Sequence, residues 1–213
     1  MLTLGLSASD LGAAHYFYRY TNGDETVLAS ITIEPLDSLF RATYTRSQIT
    51  WSVLCDSSGG TKLANFQDRA AKTDLKLSRE GDILRITGVR GAEPVDEKIQ
   101  IDSSPWYQFL PFSLQLFSNT TSRVVQFWAV RPSDLKHAKF RATRDSGEWL
   151  RIDGSTWETQ KIKITLCGLL ARLWQGYYWF RKADNLFARY EGRNSPPASG
   201  ETVIELIQET SFK

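Results

Sequence analysis

The sequence predicts an all-β protein with minor helix: a large antiparallel meander curled into a half-barrel or barrel, with a short helical or loop plug near residues 105–119. Three observations predict it. Apolar and polar residues alternate with period two along most of the chain. Clusters of Gly, Asn, Asp and Ser separate these runs at short, fairly regular intervals. Helical periodicity is confined to one Pro-bracketed stretch near mid-chain.

The elements follow in order. The first segment, 1–14, reads as irregular, and His15–Thr21 as the first strand. In "TVLASITIE" Val27, Ala29, Ile31 and Ile33 share one face and Ser30, Thr32 and Glu34 the other, which is the pattern of a half-buried antiparallel strand. Looser alternation marks Leu39–Thr45, Ile49–Leu54, Lys72–Ser78, Ile83–Gly88 and Glu97–Asp102. "NFQDRAAKTD" reads as extended. After the mid-chain segment the pattern resumes at Val124–Val130, Leu135–Ala142, Trp149–Asp153, "KIKITL" (Lys161–Leu166) and Val203–Gln208. Turns are expected at "TNGDE", "SSGG", "REGD", "DSGE", "DGS" and "KADN". Asp153-Gly154 is the clearest hairpin signal, because both residues tolerate positive φ. "GRNSPPASGE" (192–201) reads as a loop before the last strand.

The mid-chain segment 103–122 differs. Pro105 and Pro111 bracket Trp106, Tyr107 and Phe109, and "LPFSLQLFSN" places Phe112, Leu116 and Asn119 one helical turn apart. So many rings cannot all face water, so the segment is expected to plug the concave side of the sheet or line its mouth. No composition shift marks a boundary, and the chain reads as one β domain over 1–213.

The stretch "RLWQGYYWFRKADNLFARYEG" is a second aromatic concentration. Read as a strand over 172–182, it points Leu173, Tyr177, Trp179 and Arg181 one way and Trp174, Tyr178, Phe180 and Lys182 the other. Both faces are aromatic, so protein or ligand must cover both. Tyr and Trp combine flat apolar area with a polar tip, and interleaved Arg can hold an anionic head group. The same rings also suit cross-strand packing with Arg laid over them.

Bulk properties narrow the classes. The 213 residues are 41% hydrophobic, 23% charged and 12% aromatic, an ordinary globular balance rather than a disordered one. Net charge is +2, which does not mark a general polyanion binder. Arg123–Arg193 nonetheless carries 14 Lys/Arg against 7 Asp/Glu. No apolar run is long enough for a transmembrane helix. The opening "MLTLGLSASDLGAA" lacks a basic start and is interrupted by Asp10, so it reads as a poor signal peptide. Cys55 and Cys167 lie far apart in strand-like sequence. A single disulfide or two buried thiols both fit.

Chemistry-bearing motifs are sparse. His15 and His137 have no ligand-spaced companions, so no metal site is expected. Nucleotide-binding glycine motifs and hydrolase signatures do not occur, and the carboxylates are dispersed. No cofactor and no catalysis are expected. Single-stranded nucleic-acid or carbohydrate binding through strand 172–182 is one alternative, since aromatic and basic residues on adjacent strands are what base stacking needs. The charge surplus is modest and no RNA-binding signature occurs, which makes nucleic acid the weaker partner. A structural or interaction protein with no small ligand is the other alternative.

The order of features carries a resemblance. A long meander leads into "IDSSPWYQFLPFSLQLF", "VVQFWAVRPSDLKHAKFRAT", "GSTWETQKIKITLCG", "YYWFRKADNLFARYEG" and "TVIELIQE". This layout resembles bacterial proteins of unknown function with a curved antiparallel sheet, distantly related to the lipoprotein-carrier (LolA/LolB-like) group. The resemblance implies an incomplete barrel whose concave face holds apolar matter, often acyl chains. It also implies a periplasmic or envelope location, from which the opening segment departs. It carries over no catalytic residue. The resulting expectation is non-catalytic binding or carriage of a lipid-like or amphipathic ligand. Trp106, Tyr107, Phe109, Trp128, Trp174, Tyr177 and Trp179 are the expected liners, and Arg131 and Arg181 the head-group partners.

Overall fold

The structure is a computed structural model that describes residues 14–168, 171, 174–193 and 200–211. It contains β1 (Ala14–Asn22), β2 (Glu25–Leu36), β3 (Leu39–Arg46), β4 (Ile49–Asp56), β5 (Thr61–Asp68), β6 (Thr73–Glu80), β7 (Ile83–Arg90) and β8 (Glu93–Gln100). The helix α1 (Leu110–Ser118) follows. Then come β9 (Val124–Val130), β10 (His137–Ile152), β11 (Ser155–Leu166), β12 (Gln175–Arg181), β13 (Phe187–Arg193) and β14 (Glu201–Ser211). All fourteen strands form one antiparallel sheet in the order β8-β7-β6-β5-β4-β3-β2-β1-β14-β13-β12-β11-β10-β9. The expected all-β meander with a single helical plug is therefore the fold.

That order has a consequence for the middle of the chain. Consecutive strands pair throughout except β8 and β9, and one non-sequential pairing is added. The first and last strands pair in the centre, and the consecutive strands β8 and β9 lie at opposite edges. The β8–β9 connection must run from one edge to the other. It does so through the bend of the sheet and is bonded to both halves. The Thr61 amide of β5 donates to the Trp106 carbonyl at 2.8 Å. On the other side the Trp128 amide donates to the Pro105 carbonyl at 2.8 Å, and the Tyr107 amide to the Trp128 carbonyl at 2.9 Å. The sheet is thus an open barrel, stitched across its gap by the plug rather than closed by a strand ladder.

The helix occupies the same interior. Pro111 lies in its first turn, where a missing N–H costs nothing. Phe112 and Phe117 are buried, and Phe112 packs 5.3 Å from Phe40 of β3. Ser113 donates through its hydroxyl to the Gly59 carbonyl at 2.7 Å. From the other half, Asn185 donates to the Gln115 carbonyl and bonds Ser118. A cavity of only about 10 Å³ lies between Phe112, Gln115, Tyr18 and Phe187, so side chains pack closely around α1 here.

Three expectations change. "DSGE" is not a turn: β10 runs unbroken through it, with a bulge between Arg144 and Gly147 opposite Ile162 and Gln160. Asp, Ser and Gly serve a bulge as well as a turn. "NFQDRAAKTD" is not uniformly extended; it holds the end of β5, a turn and the start of β6. The strand expected over 172–182 begins at Gln175, and 172–173, like 1–13 and the centre of the 192–201 loop, lie outside the described residues. Asp153-Gly154 forms the expected two-residue hairpin, with φ of 48° and 83°. Cys55 and Cys167 are free thiols, and burial pushes the Cys55 thiol up to about 11.

Candidate functional site

The inward faces follow from period two. On β3 the row Phe40, Ala42, Tyr44, Arg46 faces the plug; on β9 the row Phe127, Ala129 does, and Arg131 continues it. The apolar ends of these rows are packed by α1. Their other ends are not, and there a hollow of about 460 Å³ opens. Both halves of the sheet wall it. Tyr20, Tyr44, Trp51 and Phe66 come from β1, β3, β4 and β5, and Tyr178, Phe187 and Ile204 from β12, β13 and β14. Tyr107 and Phe109 of the plug form its floor. Arg46, Arg131, Gln108 and Ser133 are its polar members, and among the described residues no carboxylate belongs to the lining.

The wall is stiff. Trp51 and Phe66 meet edge to face at 5.2 Å, and Tyr44 approaches Phe109 at 6.4 Å. Gln108 is buried and replaces a strand partner for β9: its amide donates to the Val130 carbonyl at 2.6 Å, and its oxygen accepts from the Val130 amide at 3.1 Å and the Trp106 indole at 2.6 Å. Burial raises the phenols of Tyr44 and Tyr107 to about 12, so both are neutral walls rather than acids. The indole N–H of Trp51 is buried without a hydrogen-bond partner.

The two arginines differ. Arg131 lies in a forked pair with Asp134, at 2.6 and 2.8 Å. Arg46 lays its guanidinium 3.8 Å over the Tyr20 ring, and its positive charge partly offsets the effect of burial on the Tyr44 phenol.

Of the residues expected from sequence, the structure brings Tyr107, Phe109 and Arg131 to the hollow. Trp106 lies behind the lining, 1% exposed. Trp128 sits on the other face of β9, donating to Asp102 at 2.9 Å and tilted against His137 at 6.2 Å. Trp174 packs edge-on against Phe140, which stacks on Phe127 and through it on Tyr107, so it reaches the hollow only through three rings. Tyr177, Trp179 and Arg181 occupy the opposite face of the sheet. There Trp179 is 4% exposed beneath Lys161 and Arg189, with its indole bonded to Glu148. Arg181 is paired with Asp184 and Glu209 and stacked 5.1 Å over Trp157. Most of this strand is covered by protein on both faces, with Tyr177 partly exposed on the outer one.

A second concavity of about 570 Å³ lies at that outer cluster, beside Trp149 and Trp157. Its cations are already neutralised, Arg181 by Asp184 and Lys182 by Glu158. The inner hollow is the stronger candidate. Tyr20, Tyr44, Arg46, Trp51 and Phe66 were not anticipated. The available signal was an arginine in register with the inward row of a strand, where a polar residue is out of pattern.

Comparison with known proteins bears on the fold. No family model and no curated protein matches the chain. A solved β-barrel-like protein of domain of unknown function DUF1849 from Brucella abortus superposes with a TM-score of 0.65 at 7% identity, over 95% of this chain and 98% of that one. A DUF1329 protein from Desulfovibrio piger aligns over 96% and 87% at 11% identity, with a TM-score of only 0.28. The chain therefore shares a curved, barrel-like β-sheet with an uncharacterised bacterial protein, as its layout led us to expect.

Proposed function

We propose that this protein is a non-catalytic binder or carrier of an amphipathic, lipid-like ligand, held in the hollow between the plug and the inner face of the sheet. The observation that carries the reading is the hollow itself. A barrel of this size with an internal plug has every opportunity to fill its interior, as it does around α1, yet about 460 Å³ stays open at one end. That volume lies within the range of about 300–1,000 Å³ usual for small-ligand sites, and mostly aromatic walls with a few polar members are their usual composition. Apolar matter placed against Tyr44, Trp51, Phe66 and Phe109 leaves water at about 25 cal/mol per Å² of apolar surface buried.

Native mass spectrometry tests this. Protein purified without detergent, then mixed with dodecyl maltoside below its micelle concentration, is expected to carry one amphiphile per chain. A spectrum with no adduct, either co-purified or added, contradicts it.

A further inference from the structure

The arginine at the mouth of the hollow says more about the guest. Arg46 ends the inward row of β3 and is half-buried among the rings of Tyr20 and Tyr44. Among the described residues no carboxylate lies within 4.0 Å of it, although Arg131, on the same lining, has Asp134, and Arg181 and Arg189, set among rings on the opposite face, have Asp184, Glu209, Glu191 and Glu205. Charges drawn out of water are normally paired, because an uncompensated one is costly. Ring stacking occupies the flat face of a guanidinium and leaves its N–H edge able to take an oxyanion through two parallel bonds. Among the described residues the lining holds two arginines and no acid to compete for that edge.

We propose that the hollow is built for an anionic, single-chain amphiphile, its carboxylate or phosphate head on Arg46 and its chain laid inward against Trp51, Phe66 and Phe109. This rests on the carrier reading and narrows it. At about 460 Å³ the hollow is in the lower part of the range for small-ligand sites, which suits one chain rather than two.

Four amphiphiles of equal chain separate the claims: laurate, dodecyl phosphate, dodecylphosphocholine and dodecyl maltoside, each titrated calorimetrically below its micelle concentration. The expected result is that laurate or dodecyl phosphate binds about tenfold or more tighter than dodecyl maltoside, the worth of one charge-assisted hydrogen-bonded contact. Whichever anion leads names the head group. Arg46→Gln should remove that advantage while leaving the maltoside affinity in place, and Arg46→Lys should restore part of it. Equal affinities across the series in the wild-type protein would overturn the head-group assignment and leave the carrier reading standing. So would an anion preference that survives Arg46→Gln. If Arg46→Gln loses its near-ultraviolet circular dichroism, the wild-type ranking alone decides. Binding of none of the four overturns both.

Discussion

Gln108 shows how much rests on one side chain. It lies at the open edge of β9, away from β10, and its amide supplies the donor and acceptor that a backbone would. It also receives the Trp106 indole. Gln108→Ala strands a buried N–H, a buried carbonyl and an indole at once, and buried polar groups left without partners cost about 1–3 kcal/mol each. We expect a loss of about 2–4 kcal/mol in urea unfolding, since relaxation recovers part of the sum; a variant as stable as wild type would show that water replaces the amide. Arg46 makes the opposite point about what a sequence reveals. It was legible as an inward-row arginine, but aromatic density in 172–182 drew attention to a different strand. Trp179 and Arg181 are conspicuous in sequence because they build a packed outer layer with Lys161, Arg189 and Glu209, and conspicuous rings satisfied by neighbours are not available to a ligand.

The elements were legible where period two was strict. β2 and β11 were read directly, because a single buried face forces the alternation. β10 was read as two strands, since Asp145-Ser146-Gly147 has the composition of a turn; only the unbroken partner β11 shows that one extra residue is absorbed as a bulge. The plug was legible from its prolines and rings, but not its seat. That seat is Gly59, at φ 83°, where an added Cβ would lie 2.9 Å from the Ser113 Cα. Gly59→Ala combines a strained backbone with a collision against α1. The expected cost is about 1–3 kcal/mol, together with faster hydrogen exchange of the α1 amides than in wild type. Unchanged exchange would mean that the helix is held by Asn185 and Phe112 without this contact.

At the scale of the molecule, the strand order explains why there is an interior at all. Placing β8 and β9 at opposite edges sends the connection through the bend, and the tyrosines around it are buried neutral. Burial holds Tyr18 and Tyr178 well above their ordinary value, and raises Tyr44 and Tyr107 to about 12. In the unfolded chain these phenols ionise near the ordinary value of about 10. Above that pH the unfolded chain binds fewer protons than the folded one, so stability falls as pH rises from about 10 towards 12 and is unaffected by these groups below it. Urea midpoints should drop steeply across that window, and a flat profile would contradict neutral burial. No helix among the described residues is long and apolar enough to cross a membrane. Ala129 lines the open end from β9, so Ala129→Trp is expected to direct a ring into that space. Calorimetric titration of wild type and Ala129→Trp with one single-chain amphiphile is the most direct test. Saturation at one molecule per chain in the wild type, weakened about tenfold or more in a variant of unchanged circular dichroism, is the predicted result. Equal binding by the two proteins would place the ligand elsewhere and contradict the account.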